Sequence, residues 1–251
     1  MQLRIGRKDT NQLAVLGVFI SASTVRRVLR RERPDEPKPT KSKKKDEKPG
    51  QRVIPAFYPN HVWSADLTTV LRWGFWPTYI FVAIDHFSRK VVAVQPMEGP
   101  NAGWVFHAFE DAIRRFGPPK HLITDQWSVF QSPAFAEVVA NYGILQRFGA
   151  VGRHGRIAVT ERIIKSLKVE WLQCVVILKG FSHINDLCQS FSIWYNEWRP
   201  HSTLDGTRPD DFYARDLPEM PSRDAKTVPF NIERKLFKET GITGFRLRKA
   251  A

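Results

Sequence analysis

The stretch "TYIFVAIDHFSRKVVAVQPM", residues 78–97, constrains this chain more than any other. It reads as two apolar strands around a short polar turn from Asp85 to Lys90. Just upstream, "HVWSADLTTVL" alternates apolar and polar residues as a strand does. "NAGWVFHAFEDAIRRFGPP" then has helical spacing at Val105, Phe106, Phe109 and Ile113, with Asn101 as a cap and Gly117 and the prolines as a stop. "KHLITD" is a short strand, and "SPAFAEVVANYG" a helix with Pro133 in its first turn and Gly143 past its end. "ILQRF" is a last strand, followed by helices in "HGRIAVTERIIKSLKVEW" and "FSHINDLCQSFSIWYNEWRP". Three strands, then helix, strand, helix, strand and two helices predict an α/β fold. Its mixed five-stranded sheet extends a meander by parallel crossovers and is flanked by helices.

The segments around this unit differ in texture. Residues 1–52 hold 15 Lys and Arg against 6 Asp and Glu, a large share of the net charge of +14. Such a block attracts a polyanion, usually nucleic acid, although a solvated tail has the same composition. Residues 11–33 read as a short helix, a break at Gly17, and a second helix capped by Ser21 or Ser23. The second helix carries Arg26, Arg27 and Arg30 on one face, in the order of a helix-turn-helix that has no room for a first helix. The expected organisation is a partial DNA-binding arm at 1–33, a basic linker at 34–52, a core at 53–216 and a basic tail at 217–251 with little periodicity. No apolar run is long enough to cross a bilayer, no signal-peptide pattern opens the chain, and Cys174 and Cys188 suggest neither a disulfide framework nor a zinc site. A soluble, cytoplasmic protein is expected.

Three acids stand out by position. Asp66 lies within the first strand, Asp125 ends the fourth, and Glu161 opens a basic helix. If strands one and four are neighbours, the aspartates approach each other, and two close carboxylates stay ionised only with a cation between them. Mg²⁺ accepts such oxygens, and Glu161 would complete a site for two ions roughly 4 Å apart. Thirty-five residues separate Asp125 from Glu161, a distance that chance also produces. On an ideal α-helix Glu161, Lys165 and Lys168 share one flank, and Ile164, Leu167 and Trp171 form the adjoining core flank. Asp85 reads as a turn cap, "WYNEW" as buried packing, and His154 with Gly155 as a loop before the helix.

The segments "NHVWSADLT", "AIDHFSRKVVA", "HGRIAVTERIIKSLKVE" and "YNEWRPHSTLDGTRPDDFY" together resemble bacterial insertion-sequence transposases with a retroviral-integrase-type, Asp-Asp-35-Glu catalytic core. The resemblance covers about residues 11–215. It implies a ribonuclease-H-like fold and polynucleotidyl transfer with two Mg²⁺ or Mn²⁺ ions held by Asp66, Asp125 and Glu161. It also implies DNA as partner, with Lys165 and Lys168 on element-end DNA, a homo-oligomer on that DNA and a nucleoid-associated location. One segment departs from the family pattern: "DQWSVF" has Trp127 in place of a glycine and Val129 in place of a polar residue. The competing expectations are a catalytically decayed copy that only binds DNA, and a nuclease of the same fold acting on RNA–DNA hybrids.

Overall fold

The computed structural model describes residues 20–21, 23–24, 55–99, 101–149, 158–216 and 230–249. The expected arginine-rich helix with Arg26, Arg27 and Arg30, the expected linker at 34–52 and the expected loop with His154 and Gly155 lie outside the described residues. At the edge of the arm, Ser21 Oγ accepts the Thr24 N–H at 3.1 Å, the geometry of a helix cap.

Five strands form one sheet: β1 (Val62–Arg72), β2 (Trp76–Asp85), β3 (Val91–Met97), β4 (His121–Thr124) and β5 (Leu145–Phe148), in the order β3-β2-β1-β4-β5. β1, β2 and β3 pair antiparallel, whereas β4 joins β1 and β5 joins β4 in parallel. The helices are α1 (Ala102–Phe116), α2 (Pro133–Asn141), α3 (Ala158–Lys165), α4 (Phe181–Ile193) and the short α5 (Pro209–Ala214). Asn101 caps α1 by accepting the Gly103 N–H, and Ser132 caps α2 by accepting the Phe135 N–H. Gly117 ends α1 at φ 84°, a backbone region that glycine enters without penalty.

The near-continuous apolar run of β2 follows from burial on both faces. Phe81 and Ala83 join Trp63, Leu67, Phe109 and Phe135 in the layer under α1 and α2. Ile80, Val82 and Ile84 join Leu167, Trp171, Leu187 and Phe191 in the layer under α3 and α4. Alternate residues of β1 therefore look to opposite helical layers, and Ser64, Asp66, Thr68 and Val70 share the α3 side.

Two helices widen into turns with i→i+5 hydrogen bonding, at Ser166–Trp171 after α3 and at Trp194–Trp198 after α4. The second contains "WYNEW", where Tyr195, Asn196 and Trp198 are buried, as expected of packing residues. Asn196 reaches the outer edge of the sheet. Its Oδ1 accepts the Val91 N–H at 2.9 Å and its Nδ2 donates to the Val91 carbonyl at 2.9 Å, replacing a missing strand. Asn196→Leu leaves both backbone groups buried and unpaired, so it should lower stability by about 2–4 kcal/mol. A urea midpoint equal to that of the parent protein would remove Asn196 from this role.

Residues 217–251 were expected as a tail with little periodicity, but the chain at 230–249 is a hairpin, β6 (Phe230–Phe237) and β7 (Ile242–Lys249). Only Phe237 of β6 is buried, so the alternation that announces a half-buried strand is absent. The hairpin docks through Phe237 against Trp171 and through Arg246 over Trp198, 4.0 Å from the ring centroid. Gly244 permits this approach, because a Cβ there would meet the Trp198 side chain at 3.0 Å.

Candidate active site

The strand register builds the site. Ser64 pairs with Ile123 and Ala65 with Thr124 across the parallel β1–β4 ladder. One step further brings Asp66 beside Asp125, both on the α3 side by strand alternation. Asp66 also accepts the Leu67 N–H at 2.7 Å, and Asp125 accepts the Trp127 N–H at 3.2 Å.

The electrostatics follow. Burial, then the charge of Asp125, then that of Glu161 push the Asp66 carboxyl from 3.8 up to about 7, against the pull of the Leu67 N–H. Asp125 is raised too, by burial, and its hydrogen bonds to the Trp127 N–H and to Asp66 work against that rise. The two carboxyls thus titrate as a coupled pair, both held above the ordinary carboxylate range. Glu161 is exposed in the first turn of α3, close enough for its charge to act on Asp66. Among the described residues, no three acidic, His or Cys side chains close on a common point, so Glu161 stands off from the aspartate pair. The donor set is entirely carboxylate, which suits a hard divalent ion, and the repulsion within the pair is what such an ion would relieve.

This pair has a testable pH signature. The unfolded chain ionises Asp66 near 3.8, whereas the metal-free folded chain keeps it protonated up to about 7. The folded state then binds the extra proton, so stability falls as pH rises from 4 to 7. Asp66→Asn removes that loss. In EDTA the variant should be more stable than wild type at pH 8, by on the order of 2 kcal/mol after discounting for partial solvation, and equal to it near pH 4. Thermal melts across that range decide it, and a difference that does not change with pH would contradict the coupling.

A buried polar chain lies below the acids. Ser64 Oγ hydrogen-bonds Thr160 Oγ1 on α3 and, at 2.7 Å, His86 Nε2. Burial lowers the His86 pKa to about 4, with Arg89 adding to the effect, so the imidazole is neutral at pH 7. This chain pins α3 to β1 one residue before Glu161. Sequence reading assigned no role to Ser64, His86 or Thr160, and no alternation or helical spacing singled them out. Asp85 is the turn cap it was read as: it accepts from the Asn60 N–H, the Ser88 N–H and the Ser88 hydroxyl.

The lysines separate. Lys165 is exposed at the end of α3. Lys168 is half-buried within the wide turn, in a groove with Thr69, Leu71 and Trp73 at the far end of β1. An i→i+5 turn advances through a smaller angle per residue, so the ideal α-helical wheel does not carry through to Lys168. The same phase correction applies to the core flank: Ile163, Leu167 and Trp171 are fully buried, while Ile164 is half-buried.

The unusual "DQWSVF" segment fits. Among the described residues the non-glycine positions with positive φ are Asn60, Trp73, Arg89, Asp205 and Arg215, so Trp127 occupies ordinary backbone that needs no glycine. Its ring lies edge-on to Tyr79, with centroids 6.4 Å apart. Val129 is a core residue beside Phe130 and Phe135.

The sheet order, the crossovers and the helices on both faces define an integrase-core, ribonuclease-H-like fold. The solved simian T-cell lymphotropic virus intasome, in complex with PP2A regulatory subunit B56 gamma, aligns with a TM-score of 0.59. That alignment covers 83% of this chain and 84% of the other at 15% identity. The HTLV-2 integrase catalytic core domain, solved in complex with magnesium in a trimeric form, aligns at 0.51 over 63% of this chain and 99% of its own, at 21% identity. Two family models described as integrase core domain match residues 58–154 and 142–209. Together the two models span residues 58–209, and the chain belongs to the integrase-core family. It is 26% identical over 161 residues to transposase InsF for insertion sequence IS3A of Escherichia coli, covering 63% of this chain and 56% of that one. It is also 26% identical over 157 residues to a 31.7 kDa protein of insertion element IS407 from Burkholderia multivorans, covering 62% and 56%. The chain thus spans little more than half the length of these relatives.

Proposed function

We propose that the chain carries out metal-dependent DNA strand cleavage and strand transfer at the ends of a mobile element. The observation that carries this is the mutual coupling of Asp66 and Asp125 on adjacent parallel strands, with Glu161 acting on Asp66 from α3. Asp66, Asp125 and Glu161 would hold Mg²⁺ or Mn²⁺, in the two-ion manner of carboxylate sites. When bound, such ions supply Lewis acidity at the scissile phosphate and favour deprotonation of the attacking hydroxyl. Asp66, held up at about 7 by burial and by Asp125, would have to be ionised to hold such an ion. Thr160, held by Ser64, fixes the start of α3 and so limits where the Glu161 carboxylate can swing.

In this reading DNA is bound by Lys165 and Lys168 along the helix and by Arg26, Arg27 and Arg30 in an N-terminal arm at 1–33. The linker at 34–52 joins that arm to the core at 53–216, the basic residues at 217–251 add phosphate contacts, and an oligomer holds two ends together. The test incubates the full chain with duplex carrying the element's terminal repeats, in Mg²⁺ and in EDTA. Nicks that leave a 3′-hydroxyl, in Mg²⁺ only, are expected. Duplex bound but never nicked in Mg²⁺ or Mn²⁺ would replace this reading with that of a decayed, DNA-binding copy.

A further inference from the structure

Glu161 and Lys165 occupy one flank of α3. Arg162 follows Glu161 by one residue, about 100° round the helix, and faces a different space. That space is a cavity of about 290 Å³ between α3, the β2–β3 turn and the segment that follows α4. Arg89 enters it from the turn, and Tyr195, Arg199, Ser202 and Thr203 complete the wall beside Arg162.

Three guanidinium groups therefore line one cavity, and among the described residues only Arg199 is paired with an acid. Arg199 forms a forked ion pair with Glu170, both oxygens lying 2.8 Å from its Nη2. Among the described residues neither Arg89 nor Arg162 makes an ion pair or a hydrogen bond to an acid. Asp85 lies near enough for its charge to act on Arg89, but its oxygens are occupied by Asn60 and Ser88. Burial lowers the Arg89 pKa against the opposing pull of Tyr195 and Asp85, and the charge of Arg162 adds to the lowering, so the two cations lie within electrostatic reach of each other. Arg89 also holds φ 62°, a region that residues with a Cβ enter infrequently. Ser202 and Thr203 are exposed and bring hydroxyl groups to the rim.

We propose that this cavity is an anion site that takes one phosphodiester of a DNA strand between Arg89 and Arg162. Two guanidiniums lining one cavity, neither paired with an acid among the described residues, call for a shared anion, and planar forks suit phosphate oxygens. The volume is at the low end for pockets that enclose a whole small molecule, so the phosphate is presented by a strand continuing outside over the Ser202–Thr203 rim. Catalytic acids on one flank of α3 and an anion site on another would set the helix between two stretches of backbone. The choice of DNA rests on the proposed function; the anion site itself rests on the cavity.

The experiment uses the full chain carrying Asp66→Asn, so that binding is read without cleavage, while nicking by the wild type is scored separately. Failure of the cavity and failure of the catalytic reading are thereby distinguished. Inorganic phosphate, titrated by calorimetry, should fill one site that is lost in Arg162→Gln and Arg89→Gln and kept in Arg162→Lys. In each Gln variant, affinity for a short duplex should fall about tenfold, and the slope of log affinity against log salt should shrink by about one. Arg162 is exposed, so its Gln variant should keep the parent melting temperature and isolate the effect from folding. Phosphate binding unchanged in both Gln variants overturns the site. Phosphate binding lost with duplex affinity and salt slope unchanged overturns the phosphodiester and assigns a small free anion instead.

Discussion

Asp66→Asn, Asp125→Asn and Glu161→Gln are each expected to reduce Mg²⁺-dependent nicking of terminal-repeat duplex by on the order of a thousandfold or more. Each change keeps the shape of the side chain and removes one anionic oxygen donor. The Asp66 and Asp125 changes also erase the mutual repulsion that a cation would relieve, so metal loading loses both a ligand and a driving force. Glu161 is exposed and coupled more weakly to Asp66, so Glu161→Gln should leave the metal-free melting curve close to that of the parent. Duplex binding, followed by fluorescence anisotropy, should change by no more than about threefold, because the proposed function assigns phosphate contact to other, cationic residues. Wild-type nicking in any one variant would remove that residue from the site, and nicking lost together with binding would point to unfolding.

Trp171→Ala should be among the most destabilising substitutions in the core, at about 3–5 kcal/mol. The side chain is fully buried and lies against Phe191, Trp194 and Phe237, with centroids 6.0, 5.2 and 5.3 Å away. Its indole N–H donates to the Leu187 carbonyl at 2.8 Å, so one residue ties the wide turn after α3 to α4 and to the C-terminal hairpin. Trp171→Phe fills more of the space and loses the hydrogen bond, and should cost about half as much. Urea melts report both. A loss under about 1 kcal/mol for the Ala variant would mean that the hairpin contributes little to the fold.

Much of the core could be read from residue patterns because its strands are buried on one or both faces and its helices are capped by recognisable residues. Asn101, Ser132, Pro133 and Gly117 act where their chemistry predicts. Asp66 and Asp125 were legible as acids in strand contexts, and their meeting required only that β1 and β4 be neighbours. What escaped reading has physical causes. The β6–β7 hairpin buries so little that it carries no alternation. The wide turn Ser166–Trp171 follows the regular helix Ala158–Lys165, so Lys168 does not keep the phase of a helical wheel begun at Glu161. The chain of His86, Ser64 and Thr160 joins three elements far apart in sequence, and none of the three residues is unusual alone.

The parallel pairing of β1 with β4 also sets the order in which the molecule assembles. β1, β2 and β3 close through short turns, as local hairpins do within microseconds. Thr124 reaches Ala65 only after a loop of about sixty residues closes around α1, at a conformational-entropy cost that grows with loop length. The pairing that brings the carboxylates together is therefore expected to form later than the β1–β2–β3 hairpins, because it closes a much longer loop.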